Sequence, residues 1–71
     1  MYKLSKKLSN SIRKLRFQAD EMSQQTLAEK VGVTRQTIIA IEKDKYSPSL
    51  EVAFKISNDF DVALETVFNY K

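Results

Sequence analysis

A chain of 71 residues without cysteine or histidine makes one domain with a modest core, and it leaves no material for disulfides, thiolate metal sites or an ordinary zinc site. One glycine and one proline against 42% hydrophobic residues argue against β-rich, low-complexity and disordered classes and for an all-α fold. The net charge of +3 is unevenly spread: Lys3, Lys6, Lys7, Arg13, Lys14 and Arg16 all precede the first acid, Asp20, and the rest of the chain is net acidic.

Residues 1–9 therefore read as a basic N-terminal arm, with the folded domain over 10–71. An arm of this kind suits a polyanion or a solvated tail about equally. It also has a third reading, in which Tyr2 and Leu4 pair with the strand-like run Val67-Phe68-Asn69-Tyr70 as a short terminal β-ribbon. Leu4, Leu8, Ile12 and Leu15 follow a helical spacing, but Ser9, Asn10 and Ser11 interrupt it with cap-type residues, so the first firm helix is expected over about Asn10–Gln18. Ser23 caps a second helix that turns Leu27, Ala28 and Val31 inward. Gly32 ends it by supplying a positive φ. Thr34 caps a third helix with Ile38 and Ile41 on its buried side, closed by Lys43-Asp44-Lys45. Tyr46-Ser47-Pro48 is extended, because proline moves the preceding residue out of the helical region. A fourth helix starts near Ser49 with Leu50, Ala53, Ile56 and Phe60 at helical spacing. Asp61 breaks it, and a fifth short helix runs from about Ala63 to Phe68.

Two short helices joined through a glycine-containing turn have helix-turn-helix geometry, and the stretch Gln24 to Glu42 has that form. Ala28 lets the helices approach closely, and Val33, Ile38 and Ile41 pin the third helix down. Arg35, Gln36, Ile39 and Ala40 are then left on the outer face, the one that enters a major groove in such motifs. Their chemistry suits base edges: Arg pairs with guanine O6 and N7, Gln with adenine N6 and N7, and Ile and Ala contact thymine methyls. The helix N-terminus at Thr34 favours a nearby phosphate.

From Ile12 to Phe68 the chain resembles the lambda-repressor/Cro-like family of helix-turn-helix transcriptional regulators, in particular its minimal members. The matching stretches are M-S-Q-Q-T-L-A-E-K-V-G-V-T-R-Q-T-I-I-A-I-E-K and Y-S-P-S-L-E-V-A-F-K-I. The resemblance implies five short helices in a lambda-repressor-like domain and a regulator, expected to be a repressor, on double-stranded DNA. It implies base-reading positions at Arg35, Gln36, Ile39 and Ala40. Phosphate-binding roles fall on Gln24 (which would also brace the third helix), Thr34, Thr37, Lys43, Lys45 and Tyr46. Ala19-Asp20-Glu21, Asp44 and Asp61 depart from the glycine or asparagine usual there, and Ala63 stands where a capping Ser or Thr is common. Glu42 reads as structural, pairing with an arginine of the first helix.

One recognition helix reads too few base pairs for selectivity in a genome, so a homodimer on a palindromic operator is expected, joined through Phe54, Val62, Leu64, Val67, Phe68 and Tyr70. No catalytic constellation, metal site or cofactor is implied, and no effector domain fits beside the motif. No apolar run approaches the ~20 residues of a membrane span, and the start lacks a signal peptide's apolar stretch, so a cytoplasmic protein is expected. An antitoxin or a protein-interaction module on the same fold is the alternative, separable by whether retention on DNA falls steeply with salt.

Overall fold

The computed structural model describes residues 7–70. In chain order it contains β1 (Leu8–Asn10), α1 (Ile12–Gln18), α2 (Gln24–Val31), α3 (Arg35–Glu42), α4 (Leu50–Asp59), α5 (Leu64–Val67) and β2 (Phe68–Tyr70). The fold is all-α with five helices and a short terminal β-ribbon, as expected. Its described strands are β1 and β2; Tyr2 and Leu4, expected to pair with the Val67–Tyr70 run, lie outside the described residues. Leu8 pairs with Tyr70, Ser9 with Asn69 and Asn10 with Phe68, antiparallel, and the Ser11 amide extends the ladder onto the Val67 carbonyl at 2.8 Å. The expected division between arm and domain after residue 9 thus runs through a strand. Residues 1–6 of the expected arm lie outside the described residues.

The helix starts follow capping chemistry. Hydroxyls of Ser23, Thr34 and Ser49 accept hydrogen bonds from the amides of Thr26, Thr37 and Val52, each satisfying an orphan first-turn donor. The first helix begins at Ile12 rather than Asn10, because Asn10 is in the strand and its side-chain oxygen accepts from the Ile12 amide at 3.1 Å. Ala63 has no side chain able to cap, and α5 is a single four-residue turn.

The helix ends share one device. Gly32, Asp44 and Asp61 lie in the left-handed region at φ of +77°, +59° and +56°. The next residue in each case reaches back to a carbonyl five positions earlier: Val33 to Ala28, Lys45 to Ala40, Val62 to Ser57. This closure satisfies carbonyls that the helix leaves open. After α1 two left-handed residues occur in succession, Asp20 at +62° and Glu21 at +56°, so the back-bond spans one residue more, from Met22 to Arg16 at 2.9 Å.

The core is aliphatic: Ile12, Leu15, Leu27, Ala28, Val31, Ile38, Ile41, Ala53, Ile56 and Val67. Leu50, expected inside, is 70% exposed. It is the first residue of α4, on the same side as Ala53 and Ser57 but one turn before the buried part of that stripe, and Ser57 is buried further along it, its hydroxyl donating to the Phe54 carbonyl. Among the described residues no aromatic ring is fully buried: Phe60 and Phe68 pack part-buried against the core, and Phe17, Tyr46, Phe54 and Tyr70 are exposed.

A left-handed residue with a Cβ costs about 1–2 kcal/mol relative to glycine, of which glycine returns about 0.4–1 kcal/mol through the unfolded chain. Glu21→Gly should therefore raise stability by about 0.5–1 kcal/mol. Gly32→Ala meets no atom within 4 Å and should lower stability by a similar amount through torsional strain alone. Urea melts of the two variants check both signs.

Candidate nucleic-acid interface

The outer face of α3 is set by its inner one. Ile38 and Ile41 are buried, which leaves Arg35 and Gln36 exposed and Ile39 and Ala40 half-buried on the opposite side. Thr34 and Thr37 meet hydroxyl to hydroxyl at 3.0 Å at the helix start. Lys43, Lys45 and Tyr46 follow the helix and are exposed.

What holds α3 at its angle is a buried ion pair. The Arg16 guanidinium grips the Glu42 carboxylate with two hydrogen bonds, Nε to Oε2 at 2.7 Å and Nη2 to Oε1 at 3.0 Å. Its remaining nitrogen donates to the Met22 carbonyl at 2.8 Å. The Gln24 side-chain amide donates to the same Oε1 at 3.1 Å. The Arg16 and Glu42 side chains are 14% and 8% exposed, so little water reaches the bidentate bonds. Glu42 is thus structural and paired with a first-helix arginine, as its position suggested. Gln24 braces the third helix through that carboxylate.

Above this pair lies a groove of about 770 Å³ between α1, α2 and α3, lined by Arg13, Phe17, Gln24, Gln25, Arg35, Ile39 and Lys43 as well as the pair itself. Glu42 is the one acid among its lining residues, and Arg16 neutralises it, so the rim is cationic. Asp44, the acid nearest the end of α3, accepts from the Asn10 side-chain amide at 3.1 Å. That same amide donates to the Ile41 carbonyl at 2.8 Å, which ties β1 to the α3 C-terminus.

Four of the residues expected from sequence, Gln24, Arg35, Ile39 and Lys43, line one groove. Gln36 and Ala40 flank it on the face of α3. Tyr46 instead borders a small crevice with Leu8, Pro48 and Phe68. Arg13 and Phe17 were not anticipated at this site; the signal was available, because they stand four apart and off the Ile12–Leu15 stripe. Of the residues expected to join two protomers, Phe54 and Tyr70 are exposed, and Val62, Leu64 and Phe68 are half-buried. Val67 does not belong to that surface: it is fully buried within the aliphatic core, since the single turn of α5 directs it inward.

The helix-turn-helix family model matches residues 12–67. The chain belongs to the helix-turn-helix family. Within it the chain is a regulator of the lambda-repressor/Cro-like kind. An uncharacterized HTH-type transcriptional regulator of Methanocaldococcus jannaschii is 58% identical over 50 residues, covering 70% of this chain and 76% of the relative. The Bacillus subtilis regulator YgzD is 48% identical over 61 residues, covering 86% of this chain and 91% of that one. A crystal structure of a Bacteroides fragilis protein shares the fold with a TM-score of 0.76 at 24% identity, over 87% of this chain and 98% of that chain. The helix-turn-helix family is one of non-enzymatic DNA-binding regulators. Among the described residues no three His, Cys, Asp or Glu side chains gather as a metal site, and no helix is long and apolar enough to cross a membrane.

Breaking a buried pair by removing one partner strands the other charge and costs about 3–5 kcal/mol. In this helix-turn-helix domain Glu42→Ala should cost about 3 kcal/mol, whereas replacing Arg16 and Glu42 together with Met and Leu should recover most of that loss. Denaturant unfolding of the two single variants and the double variant measures the coupling.

Proposed function

We propose that this regulator binds a palindromic operator as a homodimer, inserting α3 of each protomer into the major groove and repressing transcription by occupancy. The observation that carries the reading is the outer face of α3, where Arg35, Gln36, Ile39 and Ala40 stand together beside a cationic groove. In this reading those four contact base edges. Gln24, Thr34, Thr37, Lys43, Lys45 and Tyr46 bind phosphates and set the register, and the basic residues before β1 act as an arm along the backbone.

Dimerisation is supported by what the core leaves outside. Phe54 is 46% exposed, and together with Tyr70 and the half-buried Val62, Leu64 and Phe68 it offers apolar surface outside the outward face of α3, with Phe68 beside Ile41 at the end of that helix, the kind of patch that two-fold interfaces use. Two such protomers present recognition helices about 34 Å apart, one turn of DNA.

Selection of bound duplexes from a random pool tests the reading as a whole; failure to enrich a palindrome rejects it. On the selected site, Gln36→Ala should cost about 1–3 kcal/mol and relax discrimination at one or two base pairs. Lys45→Ala should instead weaken binding to all sequences alike and make the salt slope shallower by about one. Titrations on matched and scrambled duplexes separate the two behaviours. For the dimer, Phe54→Glu is the cleaner substitution, because Phe68 also packs against the core. Sedimentation of that variant should show a folded monomer where the unmutated chain is a dimer at micromolar concentration.

A further inference from the structure

We infer that Arg13 and Phe17 of α1 form a second contact site for duplex DNA, one that grips the sugar–phosphate backbone beyond the bases read by α3. The inference rests on the DNA-binding reading and extends it to a helix outside the helix-turn-helix unit. Phe17 is 58% exposed on the polar side of a seven-residue helix, where nothing within the protomer requires an aromatic ring. It is not idle surface. The Arg13 guanidinium carbon lies 5.8 Å from its ring centroid, within the range of a cation–π contact, so the charge and the ring form one unit. That unit stands at the meeting of two depressions. One is the groove shared with Gln24, Arg35, Ile39 and Lys43; the other, about 520 Å³, is bordered by Asn10, Lys14 and Gln18.

The chemistry selects the occupant. The cations lining the two depressions include Arg13 and Lys14 on one side and Arg35 and Lys43 on the other, and the one acid among their lining residues, Glu42, is already bound by Arg16; Asp20 and Glu21, which follow α1, line neither depression. A polyanion is therefore favoured over an acidic-rimmed or purely apolar protein surface. Stacking on a base would need an unpaired strand, but a duplex running along α3 presents deoxyribose C–H faces alternating with phosphates. The ring suits the first and the guanidinium the second. The groove is continuous with the face of α3, since Arg35, Ile39 and Lys43 also line it, so one duplex can meet both. Contacts of this class fix register and carry no base preference.

The test uses the full chain, the duplex selected from the random pool, and a scrambled duplex of equal length. Arg13→Ala should reduce the log–log salt slope by about one. Phe17→Ala should weaken both duplexes by the same factor with the slope unchanged, since it removes contact but no charge. Hydroxyl-radical footprints, which report on the sugars, should contract at their outer edges for both variants. Phe17→Leu keeps apolar surface at the position and should restore part of the affinity, which guards against a folding defect in Phe17→Ala. The inference is overturned if the variants bind and footprint like the unmutated chain, if their losses depend on base sequence, or if Phe17→Ala alters oligomeric state while half-site affinity stays the same. Those results leave the DNA-binding reading intact. An unmutated chain that binds neither duplex overturns both.

Discussion

The arrangement depends on one carboxylate. Glu42, at the last position of α3, receives Arg16 from α1 and Gln24 from the start of α2, so three helices converge on a group with little access to water. An apolar trio of similar volume would pack as well and avoid the desolvation that buried charges impose. What it would not provide is direction. A bidentate guanidinium–carboxylate pair has a preferred plane and distance, and here that plane fixes where the end of α3 lies relative to α1. The pair also removes the one negative charge from a groove whose rim is cationic. Structure and electrostatics are therefore met by the same two residues.

A small core has shaped everything else. With aliphatic side chains filling the interior, the rings of Phe17, Tyr46, Phe54 and Tyr70 are left on the surface, where single exposed hydrophobics are ordinary and contiguous apolar patches mark interaction sites. They are not scattered. Phe17 lines the groove, and Phe54 and Tyr70 are among the residues proposed for the dimer surface. A 71-residue domain has modest stability from its own burial, so association that buries further surface adds directly to it by mass action. Stability and function become linked through the same surfaces.

Much of this was legible in the sequence because the local rules and the tertiary structure agree. Ser23, Thr34 and Ser49 cap where their hydroxyls predict, Gly32 turns where only glycine is unstrained, and Ile38 and Ile41 dictate which side of α3 is outward. The errors have physical causes. Leu50 fits the helical spacing of α4, but periodicity does not say where a core ends, and the first turn projects past it. Val67 looked like surplus apolar surface because a four-residue helix shows no period from which to judge its inward direction. Asn10 was read as the start of a helix because cap chemistry is local, whereas its place in β1 depends on Phe68, far along the chain. The Arg13–Phe17 unit was missed because a basic segment and a single ring look ordinary until folding brings them beside Arg35 and Lys43.

Asn10 joins the two halves of the molecule. Its backbone is laddered to Phe68, its side-chain oxygen starts α1, and its side-chain amide holds both the last buried turn of α3 and the carboxylate of Asp44. The strand that borders the proposed dimer surface is thereby fastened to the segment Lys43–Tyr46 that leaves the recognition helix. Three hydrogen bonds from one carboxamide allow little relative movement, because rotating it to keep one would lengthen the others beyond useful geometry. In the proposed dimer a rigid link of this kind matters. Half-site spacing is set by the rotation and distance between two α3 helices, and any slack between the pairing surface and α3 would appear directly as tolerance for wrongly spaced sites. The ribbon is thus more than a tidy closure of the chain ends, since it ties the strand bordering the proposed dimer surface through Asn10 to α3.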